Sequence, residues 1–101
     1  MSNKLERNEY KCFRVPKYLV RSGAIQHLSA DGLRLFLFVI YELFARRTEE
    51  VDMHFLVLSK ALGVLRSQMK PLADELANLG LLVCQIGDQR IIFSLPETEP
   101  T

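Results

Sequence analysis

At 101 residues the chain has room for one domain, and a domain of this size removes about two-thirds of its unfolded surface from water, enough for a real core. Its 49% hydrophobic content excludes a disordered chain, and the longest unbroken apolar run, residues 35–41, is far too short to span a bilayer. Net charge is only +1, but residues 1–21 hold six Lys/Arg against two acids while the remainder holds seven against ten, so attraction for phosphate is concentrated near the amino terminus.

Residues 1–12 are polar and charged with little periodicity and read as a flexible basic arm. Their opening, Met1-Ser2-Asn3-Lys4-Leu5-Glu6-Arg7, has no apolar stretch behind its charges, so no secretory signal is expected and a cytoplasmic location is. Residues 13–95 read as the domain itself. Phe13, Val15, Leu19, Val20 and Ile25 supply apolar anchors on either side of Pro16, which restricts Val15 to an extended conformation. A helical turn or two over 17–21 is expected to end at Gly23. Arg14, Lys17 and Arg21 fall between the anchors, where they either touch a phosphate backbone or keep the segment soluble.

Ser29 is the N-cap expected for the next helix, with Asp31 in its first turn and Arg46-Arg47 at its far end, both complementing the helix dipole. Leu33, Phe36, Leu37, Ile40 and Phe44 recur at helical spacing and predict a core-facing stripe. The other side is apolar too, through Leu35, Phe38, Val39 and Leu43. A helix apolar nearly all round is buried on more than one side. The second side is expected to be a homodimer interface made by Leu35, Phe38, Val39 and Leu43, or else to be wrapped by residues 13–26 of the same chain.

Thr48-Glu49-Glu50 is a polar connection, and Val51-Asp52-Met53-His54 alternates as a short strand does. A short helix over Phe55–Leu62 should stop at Leu62-Gly63-Val64, because glycine takes a positive φ without steric cost. A second helix over about 66–78 places Met69, Leu72, Leu76 and Leu79 on the core side. Arg66, Ser67, Lys70, Pro71, Asp74 and Glu75 then face outward, with Gln68 at the rim. Leu65 cannot cap this helix, and Pro71 would sit in its interior at a cost of about 3 kcal/mol if it began at Arg66. A start near Ser67, with Ser67 as cap, is therefore expected. Gly80 ends the helix, and β-prone runs over 81–86 and 90–95 flank the hairpin chemistry of Gly87-Asp88-Gln89. Residues 96–101 are acidic and proline-flanked and read as a disordered tail.

The run Leu58-Ser59-Lys60-Ala61-Leu62-Gly63-Val64-Leu65-Arg66-Ser67-Gln68-Met69-Lys70, with Leu72, Leu76 and Leu79-Gly80-Leu81-Leu82, resembles the helix-turn-helix core of bacterial and archaeal winged-helix DNA-binding proteins. More loosely, Phe13-Arg14-Val15-Pro16 with Leu19, then Leu28-Ser29 leading into the apolar helix, is similar to the amino-terminal winged-helix domain of plasmid replication initiators. The resemblance implies an α+β fold: a small winged helix-turn-helix domain with three or more helices and a carboxy-terminal β-hairpin wing. The strand near Val51 would pair with the wing in a three-stranded sheet. Double-stranded DNA is the implied partner, bound by a transcriptional regulator or a plasmid replication or maintenance factor whose second helix enters the major groove. Arg66, Ser67, Gln68 and Lys70 are then the candidate DNA contacts on that helix. Gln89 and Arg90 are candidates on the wing, and Arg14 and Lys17 near the amino terminus. Asp74 and Glu75 depart from this pattern by adding negative charge where phosphates would pass, and Leu56 and Val57 are more apolar than a solvent-facing helix requires. These departures define the alternative, a winged-helix protein–protein interaction module without DNA binding, in which Leu56, Val57 and Leu65 would form one exposed patch.

Catalysis is not expected. Ser67-Gln68-Met69-Lys70 matches the S-x-x-K pattern, but no companion motif accompanies it, and the five glycines are isolated rather than gathered in a phosphate-binding loop. Cys12 and Cys84 are far apart, His27 and His54 are single, and no ligand spacing links them, so neither metal nor cofactor is expected.

Overall fold

The computed structural model describes Lys17 and residues 21–96. The basic arm, Arg14, the anchors at Phe13, Val15, Leu19 and Val20, and residues 97–101 of the tail lie outside the described residues. Lys17 and Arg21 are helical, and Gly23, at φ 79°, opens a 3-10 turn over Ala24–His27.

Helix α1, Ala30–Arg46, begins where Ser29 leads: its extended backbone stands outside the helix, and its hydroxyl accepts the Gly32 N–H at 2.9 Å. Asp31 lies in the first turn and Arg46 in the last, each matching the partial charge of its end. The core face of α1 is Leu35, Phe36, Val39, Ile40 and Leu43, all buried. This corrects the predicted stripe, since Leu33 and Leu37 are half-buried and Phe44 is exposed. It also corrects the expected dimer interface. Leu35, Val39 and Leu43 are at most 2% exposed within the single chain, and only Phe38 of that set is half-buried. The physical reason is that an almost wholly apolar helix fits its periodicity in several rotations, and the neighbouring elements choose among them.

Those neighbours come from the rest of the chain. Strand β1, Glu50–His54, runs directly into α2, Phe55–Leu62. His54 makes the transition, its ring Nδ1 accepting the Leu56 N–H at 3.1 Å as an N-cap. Gly63, at φ 72°, ends α2, as the sequence predicts. A 3-10 turn over Arg66–Gln68 then feeds α3, Met69–Asn78. The α-helix thus starts later than expected, and Ser67 is not its cap. With the start at Met69, Pro71 lies in the first turn, where a missing N–H leaves no intrahelical bond unmade. Met69, Leu72, Ala73 and Leu76 are buried, and Leu79 half-buried.

After α3 the hairpin strands β2, Val83–Ile86, and β3, Arg90–Ser94, complete an antiparallel sheet in the order β1-β3-β2. The register sets Val51 opposite Phe93 and Met53 opposite Ile91. These four side chains are buried on the face that meets the helices, while Asp52 and Arg90 are exposed. Helix α1 packs against α3, β1 and α2, which cover its core face from within, while Tyr41 and Phe44 stay exposed. Arg34 ties the layers by donating to Asp31 at 2.8 Å and to the Leu62 carbonyl at the end of α2. The fold is therefore α+β, with three α-helices and one three-stranded antiparallel sheet among the described residues. No helix among them is long and apolar enough to cross a membrane.

Candidate functional site

Three segments distant in sequence meet at one end of the molecule: the start of α2, the 3-10 turn before α3, and the tip of the β2–β3 hairpin. The tip is closed by the Gly87 N–H donating to the Arg90 carbonyl at 2.8 Å, and it is docked by the Phe55 N–H donating to the Gln89 carbonyl at 2.8 Å. Arg66 completes the junction, its guanidinium donating to the Gln89 side-chain oxygen at 3.1 Å. Phe55, Arg66, Ser67, Lys70 and Asp88 line an open concavity of about 390 Å³ here.

Of the sequence-predicted contacts, Arg66, Ser67 and Lys70 come together in this concavity, and Gln68 and Gln89 are exposed without lining it. Gln68 has a second duty. Its side-chain oxygen accepts the Leu65 N–H at 3.1 Å while its own N–H donates to the Leu65 carbonyl at 2.9 Å. The side-chain bond is the half of a capping box that a Gln three residues on provides, and the Leu65 carbonyl takes the Gln68 N–H that a capping Ser or Thr would have accepted. Arg90 departs from expectation: rather than standing free beside the tip, it is ion-paired with Asp52 of β1 at 2.9 Å. Lys17 is exposed, and Arg14 lies outside the described residues.

Glu75 is the larger correction. Helical spacing puts it on the outward face with Asp74, yet its carboxylate turns back to the start of α1, where it accepts the Ser29 N–H at 2.6 Å and the Ser29 hydroxyl at 2.8 Å. Gly32 leaves room for it, since a Cβ there would stand 2.8 Å from the Glu75 carboxylate and oblige it to shift. The negative charge is thus placed at a helix amino terminus, where the dipole favours it, and not among the outward cations. No sequence signal marks the pair, because Ser29 and Glu75 are far apart along the chain. Asp74 stays exposed. Together with burial it acts on Cys84, whose thiol is pushed up to about 11, burial being the larger cause and Asp74 the smaller.

Around the concavity the charge is unbalanced. Neither Arg66 nor Lys70 is ion-paired among the described residues, although Asp88 lies nearby. Sequence reasoning missed Asp88 and Phe55 as lining residues; Asp88 was legible only as part of the turn, and Phe55 only as core. Leu56, Val57 and Leu65 are 44%, 53% and 68% exposed, a group of apolar side chains that the core does not absorb. Among the described residues no group of three or more His, Cys, Asp or Glu is arranged to hold a metal ion. No family model, curated protein or solved structure matches the chain.

Proposed function

We propose that the protein is a cytoplasmic, double-stranded DNA-binding domain of the winged helix-turn-helix kind, serving as a transcriptional regulator or a plasmid replication or maintenance factor. In this reading α2, the turn at Gly63 and α3 are the helix-turn-helix, and the β2–β3 hairpin is the wing. The observation that carries it is the junction at Arg66. Arg66, Ser67 and Lys70 are exposed together where α3 begins, and Arg66 is hydrogen-bonded to the hairpin tip. Exposed cations with no carboxylate partner among the described residues, placed where a helix begins, suit a phosphate backbone and the acceptor-rich edge of guanine. The withdrawal of Glu75 to Ser29 removes a carboxylate that would have opposed that approach.

Ser67 and Lys70 serve here as binding groups, not as a catalytic pair, and no cofactor takes part. A second copy is not part of the reading, because Leu35, Val39 and Leu43, which carried that expectation, are interior to one chain. The test is fluorescence anisotropy of a labelled mixed-sequence duplex titrated with the full chain at low and at moderate salt. Affinity that falls steeply as salt rises is the expected result, since each neutralised phosphate releases counterions. No binding at low salt would overturn the proposal. It would favour a second reading, docking of a protein partner on the exposed Leu56, Val57 and Leu65.

A further inference from the structure

Leu65 is the most exposed of the described large apolar side chains, at 68%. A leucine alone on a surface is ordinary, but the position of this one is not. It directly precedes Arg66, at the head of the segment that leads into α3. Both of its backbone polar groups are held by Gln68, the N–H by the side-chain oxygen and the carbonyl by the Gln68 N–H. The backbone that carries the side chain is therefore fixed relative to Arg66 and Ser67 before any ligand arrives. Leu56 and Val57, in the first turn of α2, are less exposed.

An apolar side chain held there has one complementary base edge. In the major groove adenine, guanine and cytosine present hydrogen-bonding groups, whereas thymine adds a methyl group that a leucine can cover without leaving a donor or acceptor unpaired. We infer that Leu65 is a specificity-determining residue that packs on the 5-methyl group of thymine, so that the protein favours duplexes with thymine next to the base steps met by Arg66. The inference rests on the DNA-binding reading. Phosphate contacts, among them that of Lys70, supply affinity common to all sequences, and Leu65 adds a preference that salt does not screen.

Two duplexes that differ only in this methyl group provide the test: an alternating adenine–thymine duplex and its counterpart with uracil for thymine, each titrated with the full chain by anisotropy. The wild type should bind the uracil duplex about four-fold more weakly, the loss expected when one buried methyl is removed. Leu65→Ala should bind both alike, at about the affinity of the wild type for the uracil duplex. It should also keep the wild-type salt dependence and melting temperature, since the side chain it shortens is exposed. Equal wild-type affinity for the two duplexes, with salt-dependent binding intact, would overturn the role of Leu65 and leave the DNA reading standing. A thymine preference that survives in Leu65→Ala would assign the effect to duplex shape and overturn the inference as well. Absence of binding to both at low salt would overturn the inference together with the reading beneath it.

Discussion

Helix α3 delivers polar side chains to two places that treat them in opposite ways. In its body Glu75 turns inward and meets two donors from Ser29, with Gly32 leaving space for the carboxylate. At its leading end Lys70, and in the 3-10 turn just before it Arg66, are exposed with no carboxylate partner among the described residues, and Arg66 meets the neutral Gln89. The first arrangement consumes charge to join α3 to α1; the second leaves charge available. A polar group already satisfied inside the fold contributes to stability, while one held in place but unneutralised is suited to a partner. Substitutions at the two ends of this helix should therefore affect different measurements.

The largest effect is expected from Glu75→Ala. It removes two charge-assisted hydrogen bonds and a favourable charge at the α1 amino terminus, and should lower unfolding free energy by about 2 kcal/mol in chemical denaturation. DNA affinity of the folded protein should not change. A loss of only a few tenths of a kcal/mol would mean that solvent already screens this contact, and the contrast between the two ends would weaken. At the other end Arg66→Ala should reduce DNA affinity about ten-fold and lower the slope of log affinity against log salt by about one, with an unchanged melting temperature. Lys70→Ala should act in the same direction by a few-fold, as expected of a backbone contact. Unchanged affinity in both variants would remove the start of α3 from the interface.

Asp74 belongs to neither place, and its influence appears at Cys84, which lies half-buried with its thiol donating to the Ala73 carbonyl at 3.6 Å. Because burial and Asp74 raise the thiol from its ordinary 9.0 to about 11, the folded state holds this proton longer than the unfolded chain does. Its contribution to stability is complete below pH 9 and is lost as pH rises towards 11. Wild type should therefore lose stability over that window relative to Cys84→Ala, by a modest amount because the thiol is partly solvated. Parallel pH profiles for the two proteins would exclude the effect.

Local chemistry made much of this architecture legible. Ser29 as a cap, the stop at Gly63 and the bounds of the Phe55–Leu62 helix follow from residues close together in the chain, and each is observed. The strand before α2 is also found, reaching back one residue further to Glu50. Rotation of α1 was not legible, because Leu33, Leu35, Phe36, Leu37, Phe38, Val39 and Ile40 satisfy a helical period in several phases. Burial of Leu35 and Val39, for which the sequence left open a second copy or residues 13–26 of the same chain, comes with packing against α3, β1 and α2. Spacing alone puts Arg66, Ser67 and Lys70 on an outward face, and all three are exposed. The ion pair that occupies Arg90 depends on the β1–β3 register, and the turn of Glu75 uses room left by an absent side chain at Gly32, so neither could be read from nearby residues.

That absent side chain offers the finest test of the inward contact, because two opposing effects meet at Gly32. Alanine is favoured over glycine in a helix by about 0.5–1 kcal/mol, and Gly32 has no positive φ that would penalise the change. Yet the new Cβ would stand 2.8 Å from the Glu75 carboxylate, which its bonds to Ser29 prevent from moving freely. In the wild-type background Gly32→Ala should therefore be destabilising by a net of about 0.5 kcal/mol, the displaced carboxylate outweighing the gain in helix propensity. In the Glu75→Ala background the obstacle is gone, and the same substitution should stabilise by about 0.5 kcal/mol or more. A double-mutant cycle by chemical denaturation reads the difference as a coupling energy of about 1 kcal/mol. If the substitution has the same sign in both backgrounds, the Glu75 carboxylate moves aside at little cost and Gly32 is not needed to admit it.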